Sequence, residues 1–215
     1  MTNFVVCILS EYWTINLTYT DMNIRKRNIV FAAAMFILVR MFAQGPGNSG
    51  TYYRQADGKK GSELKTALWS VIKDHTQRSY KQLWEDFKTT DKRSDGKVWD
   101  MYSSITNYTF GEKQGVNYSG EGDSYNREHS FPKSWFNDGY PMYTDLVHLV
   151  PADGYVNNRR NNYPFGETNG GTYQSAGGFS KLGKSTVSGY NGIVFEPNDE
   201  YKGDFARIYF YMATC

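Results

Sequence analysis

Cysteine and histidine are scarce in this chain. Its 215 residues include two cysteines, Cys7 and Cys215, one near each end, and three histidines. Two cysteines cannot build a cysteine-based zinc cluster, and they support no disulfide framework. Charge of one sign is missing too: 24 Lys and Arg stand against 22 Asp and Glu, a net charge of +2. Bulk charge therefore does not mark a nucleic-acid binder, and any basic surface must be local. Nor is there a run long enough to cross a bilayer. The apolar stretch Ile29–Val39 has 11 residues, where about 20 are needed.

What the chain does have is length for one substantial core and a wealth of aromatics, with 18 Tyr, 13 Phe and 5 Trp. The short apolar run follows Arg25, Lys26 and Arg27 and precedes Met41-Phe42-Ala43. A basic region, a short apolar region and a small residue make a secretory signal. Met22 is read as the true start, so residues 1–21 are expected to be translated upstream sequence and 22–43 a signal peptide. A single domain, 44–215, is expected to begin near Gln44. No cysteine follows the apolar run, so no lipid anchor is expected after cleavage, and the destination is secreted or periplasmic. Cys215 ends the chain inside an apolar pattern, which suggests a truncated C-terminus.

Leu64, Leu68, Val71 and Ile72 recur at helical spacing and predict a first amphipathic helix. Ser79 and Gln82 have the spacing of a capping box, opening a second helix with Tyr80, Leu83, Trp84 and Phe87 on its buried face. His75, in the link between them, has no acidic or histidine partner at ligand spacing and reads as a surface or capping residue. Glu121 and Asp123, among glycines, read as solvated turn residues. Further on, Ile193–Pro197 predicts a short strand and Asp204 a helix start, with Phe205, Ile208, Tyr209 and Met212 at core spacing.

The chemistry concentrates between Tyr125 and Glu167. Glu128 and His129 are adjacent, so on an extended strand their side chains point to opposite faces, and a bend or wide loop is needed to bring both to one site. Asp145–Val150 predicts a short strand closed by Pro151, and Asp153–Asn162 a helix with Asn157, Arg160 and Asn161 on one face. A hard cation takes oxygen ligands. The Glu128 carboxylate and Asn157 amide oxygen would supply two, and a neutral imidazole beside them can take a proton from water. Magnesium is the expected ion, with calcium or manganese as alternatives. A metal-dependent phosphatase and a secreted, non-catalytic binding module remain as other readings of the same residues.

The runs NREHSFPKSW (126–135) and DLVHLVPADGYVNNRRNNYPFGE (145–167), with flanking VWDMYS (98–103) and KGDFARIYFYMAT (202–214), resemble the bacterial endonuclease I family. The resemblance implies an α+β fold, a ββα-metal (His-Me finger) core embedded in a largely helical scaffold. It implies a metal-dependent endonuclease of low sequence specificity acting on DNA and/or RNA, and leaving 5′-phosphate and 3′-hydroxyl ends. His129 would correspond to the general base, Glu128 to the acidic metal ligand and Asn157 to the ligand asparagine, in the pattern L-x-P-x5-N from Leu149. His148 is expected to brace the inter-strand loop, with a direct catalytic role as the alternative. Some relatives carry an inter-strand arginine on the scissile phosphate. Here Arg160 or Lys133 would have to serve, while Arg127 and Arg159 are expected to position phosphates along with Lys133. A monomer is expected.

Overall fold

The computed structural model describes residues 50–215. The expected upstream segment and signal peptide lie outside the described residues. The chain forms two compact units, divided between Ala67 and Leu68. The described part of the first is a 3-10 turn at Arg54–Ala56 and the opening turns of helix α1, Gly61–Ile72. Leu64, Ala67, Leu68, Val71 and Ile72 fall on one face of α1 and are buried or half-buried. Glu63 occupies its first turn, where the helix dipole favours an acid.

The second unit mixes helices and strands. Helix α2 runs Leu83–Thr90. The capping box is present: Ser79 N–H donates to Gln82 Oε1 at 2.9 Å and Gln82 N–H to Ser79 Oγ at 3.3 Å. The regular helix nevertheless begins only at Leu83, so Tyr80 sits in the turn ahead of it. Strand β1, Tyr125–His129, pairs antiparallel with β2, Leu149–Asp153, with Tyr125 opposite Asp153 and His129 opposite Leu149. Helix α3, Gly154–Arg160, follows β2 without a break. Strands β3 (Tyr173–Gln174), β4 (Lys181–Lys184) and β5 (Ile193–Glu196) form a second, antiparallel sheet, and α4, Asp199–Met212, follows.

Four expectations need correction. The second strand is Leu149–Asp153, not Asp145–Val150, and Pro151 lies inside it opposite Arg127. In a two-stranded sheet both strands are edges, so a residue without an N–H costs no ladder bond on its outer side. The following helix is shorter than Asp153–Asn162. Asp153 caps it by accepting from Val156 N–H at 2.9 Å, and Asn161 leaves it at φ 52°. The last helix opens at Asp199 rather than Asp204, because Asn198 accepts from Glu200 N–H and caps it earlier. The scaffold is also less helical than expected, since the β3–β4–β5 sheet and long irregular segments share it with the helices.

One core locks the site's elements together. Ala152 of β2, Val156 of α3, Leu182 of β4, Phe195 of β5 and Phe205 and Ile208 of α4 are buried in a single cluster with Tyr102. Leu83 and Phe87 of α2 pack on Leu149, the first residue of β2. Gly154 is required by close approach: a Cβ there would lie 2.6 Å from the Tyr118 ring. That contact lets α3 start directly on the end of β2.

Candidate functional site

β1, β2 and α3 place the sequence-selected residues on two sides of one strand. Glu128 faces α3. Its Oε1 accepts from Tyr102 OH at 2.8 Å and from Arg160 Nη1 at 2.7 Å, and the carboxylate also takes hydrogen bonds from the Asn157 side chain and the His129 amide. Burial raises the Glu128 pKa, while the Arg160 charge and these donors pull against it. Asn157 Nδ2 donates to Asn126 Oδ1 at 2.6 Å. Asn126 and Glu128 are two apart on β1 and so share a face, and Asn157 meets both from α3. The carboxylate and the amide thus come together across 29 residues of sequence.

His129 lies on the other face. It is 6 % exposed, and burial lowers its pKa to about 4, so the ring is neutral at pH 7. Its Nε2 is 3.1 Å from the Tyr143 carbonyl oxygen. A carbonyl can only accept, so Nε2 carries the proton and Nδ1 holds the lone pair. Tyr143 stacks on the ring with centroids 5.1 Å apart, and Tyr80 stacks on Tyr143 at 4.9 Å. The His129 ring and the carbonyl that orients it are therefore set by packing.

His148 is fully buried at the entry to β2. Its Nε2 donates to the Met142 carbonyl at 2.6 Å, and its own carbonyl accepts from Ser130 N–H and Oγ. It ties the turn Met142–Thr144 to the strand pair, and that turn presents the Tyr143 carbonyl to His129.

The basic residues divide sharply. Arg160 is 1 % exposed and spends its guanidinium inward, on Glu128, the His129 carbonyl (3.1 Å) and the Ser130 carbonyl (2.6 Å). Arg127 is half-buried, with Nη1 on the Tyr80 carbonyl and its guanidinium 3.6 Å from the Tyr80 ring centroid and 4.3 Å from that of Trp84. Lys133 and Arg159 are exposed. Lys133 pairs with Asp138 and stands 5.8 Å from the Tyr143 ring, and its charge reaches His129. Arg159 donates to Tyr155 OH on the far end of α3. Phe165 packs against Phe205 and under the Arg160 guanidinium rather than outward, and Tyr163 is exposed.

Sequence reasoning passed over Tyr102 and Tyr143, and read Tyr80 only as part of the core. Tyr102 lies in the VWDMYS segment, but no spacing rule links position 102 to Glu128. Asp123 is an exposed turn residue as expected, accepting from Ser119 and Gly120 N–H, whereas Glu121 is half-buried and ties its turn to Ser103 Oγ and Ala176 N–H.

A carboxylate beside an amide suits a hard divalent cation, which prefers oxygen donors and keeps several waters. Because the Asn157 amide nitrogen is directed at Asn126 and Glu128, its Oδ1 is the atom a cation would take. The donor set fits such an ion.

Residues 60–215 match the family described as Endonuclease I. The chain is 39% identical over 166 residues to an extracellular ribonuclease of Bacillus amyloliquefaciens, covering 76% of this chain and 53% of that protein. It is 37% identical over 171 residues to an extracellular ribonuclease of Bacillus subtilis (strain 168), covering 78% and 54%. The chain thus spans about half the length of the curated relatives it matches. No solved structure matches it significantly. With the motif residues on one strand pair and helix, and the match extending over residues 60–215, the chain belongs to the endonuclease I family.

Proposed function

We propose that this protein is an exported, metal-dependent endonuclease of the His-Me finger type, hydrolysing phosphodiester bonds of RNA and/or DNA with little sequence preference. One observation carries the reading: Glu128 and Asn157 converge, and the residue next to Glu128 is a buried, neutral, oriented imidazole. The succession of β1, a long loop, β2 and α3 supports the ββα reading. The relatives' names, extracellular ribonuclease, support export and RNA as a substrate.

In this reading Glu128 and Asn157 hold the cation, Mg²⁺ or its substitutes Ca²⁺ and Mn²⁺. When bound, such an ion supplies positive charge to the phosphate and to the departing oxygen. His129 takes the proton of the attacking water at Nδ1, and Tyr143 keeps the ring turned by holding Nε2–H. Attack in line breaks the bond to the 3′ oxygen, leaving a 5′-phosphate and a 3′-hydroxyl. Arg160 and Tyr102 hold the Glu128 carboxylate in place. His148 steadies the turn that carries Tyr143. Lys133, the exposed cation on the His129 side, supplies the contact to the phosphate, and Arg159 and Arg127 add positive charge to the approach. Contacts mainly to phosphates give low sequence preference and binding that weakens with salt.

The test is incubation of the purified protein with RNA, plasmid DNA and a chromogenic phosphomonoester, with and without chelator. Cleavage of a polynucleotide that stops on chelation, and is abolished in His129→Ala with cation binding intact, is the expected result. Cleavage that survives chelation, near-normal rates in His129→Ala, or turnover of the monoester alone would overturn the proposal.

A further inference from the structure

The third histidine has a partner that its sequence position conceals. His75 stands just beyond α1, Asp145 ends the Met142–Thr144 turn, and Cys215 follows α4. One ligand atom from each lies within 4.8 Å of the others. These are a nitrogen, an oxygen and a sulfur donor, brought together from three separate parts of the second unit.

The hydrogen bonds around them set up an opening for a cation. His75 Nδ1 is 3.2 Å from the Ile72 carbonyl oxygen. That carbonyl fixes the proton on Nδ1 in the neutral ring, so Nε2 turns its lone pair toward Asp145 Oδ2, 3.9 Å away. This is the tautomer of a metal-ligating histidine, with the second nitrogen held by a backbone carbonyl. The separation is too long for a hydrogen bond. Two ligands at zinc bond lengths on a tetrahedral ion stand roughly 3.3–3.8 Å apart, so the pair needs to close by only a few tenths of an ångström. Asp145 is buried, with Oδ1 accepting from Val147 N–H at 2.9 Å and Oδ2 from Tyr211 OH at 2.7 Å. Both bonds orient the carboxylate. Cys215 is exposed, and its N–H bonds back to Tyr211, placing it at the open side, where water can complete the coordination.

We propose that His75, Asp145 and Cys215 form a second metal site, for a zinc-class transition ion and distinct from the Glu128–Asn157 pair. Mixed nitrogen, oxygen and thiolate donors suit zinc or cobalt and not magnesium or calcium. Binding displaces the thiol proton of Cys215 to solvent, and the resulting thiolate and the Asp145 carboxylate balance the ion's two positive charges. The site's function is to clamp. Asp145 ends the turn whose Met142 and Tyr143 carbonyls hold His148 and His129, so the ion would fasten that turn to the ends of α1 and α4.

The experiment is a titration of the reduced full chain with Co²⁺ in excess Mg²⁺, followed by absorption. A thiolate-to-cobalt charge-transfer band with intense tetrahedral d–d bands should saturate at one equivalent. The Glu128–Asn157 pair has no sulfur and cannot produce that band. Cys215→Ser should abolish it, which also separates Cys215 from Cys7, and His75→Ala should weaken Co²⁺ binding tenfold or more. No charge-transfer band in the unaltered protein, or a band that persists in Cys215→Ser, would overturn the proposal. The readout involves no turnover, so it stands or falls apart from the nuclease reading.

Discussion

Replacing Arg160 with methionine tests whether this residue works inward. The substitution keeps an unbranched apolar stem and removes the guanidinium. Glu128 Oε1, the His129 carbonyl and the Ser130 carbonyl each lose a donor 2.6–3.1 Å away. Tyr102 OH still serves Glu128, and Tyr209 OH still reaches the Ser130 carbonyl at 3.2 Å. The dominant loss is charge: Glu128, 4 % exposed, keeps a carboxylate with no cation beside it. Removing one member of a buried ion pair costs about 3–5 kcal/mol. Against a total of roughly 5–15 kcal/mol for a domain, the variant should be marginal. Equilibrium urea unfolding at pH 7 in chelator, read by tryptophan fluorescence, measures the cost. Glu128→Gln in the same chain should relieve it, because no buried charge remains unpaired, giving a coupling of about 2 kcal/mol or more. A single-variant cost below about 1 kcal/mol, or costs that simply add, would refute the inward role and return Arg160 to the phosphate.

Asp91 gives a pH test away from the site. Burial raises its carboxyl from 3.8 to about 6, so between those values the folded state holds a proton that the unfolded state does not. Its stabilisation is complete below pH 3.8 and lost as pH rises through 6. Asp91→Asn should therefore be more stable than the unaltered chain at pH 7, by on the order of 3 kcal/mol, with the gain vanishing near pH 4; denaturation at the two pH values would contradict this by showing an equal difference. His148→Ala should lose about 2 kcal/mol with its bond to Met142 yet keep measurable nuclease activity, whereas His129→Ala should keep none; equal inactivation at equal folding would give His148 a direct role. Asn157→Ala should weaken cation binding, and excess Mg²⁺ should partly restore cleavage. An unchanged Mg²⁺ dependence would remove Asn157 from the ligands.

The local pattern was legible where neighbours in sequence are neighbours in space. The four apolar positions of α1 and the Ser79–Gln82 box could be read from spacing alone. Boundaries set by caps were harder: Asn198 starts α4 five residues before Asp204, and Asn161 ends α3 early by taking φ 52°. Pro151 looked like a strand stop, and only the two-stranded pairing makes it acceptable within β2. Glu128, His129 and Asn157 were singled out through the resemblance of their segments to the endonuclease I motifs, and the structure brings the first and last of them together. Tyr102 beneath Glu128 and Asp145 beside His75 were not legible, since these contacts span 26 and 70 positions and no periodicity encodes them. Arg160 shows the same limit from the other side. An arginine on a helix beside a catalytic motif reads as a phosphate contact until packing shows it buried.

The central claim is that the Glu128 carboxylate and the Asn157 amide hold one hard cation. A crystal structure grown in Mn²⁺, with anomalous scattering recorded at the manganese edge, tests it most directly. The account predicts a peak in contact with a Glu128 carboxylate oxygen and Asn157 Oδ1. A fully occupied peak elsewhere, with Glu128 still bound only to its protein donors, would contradict it.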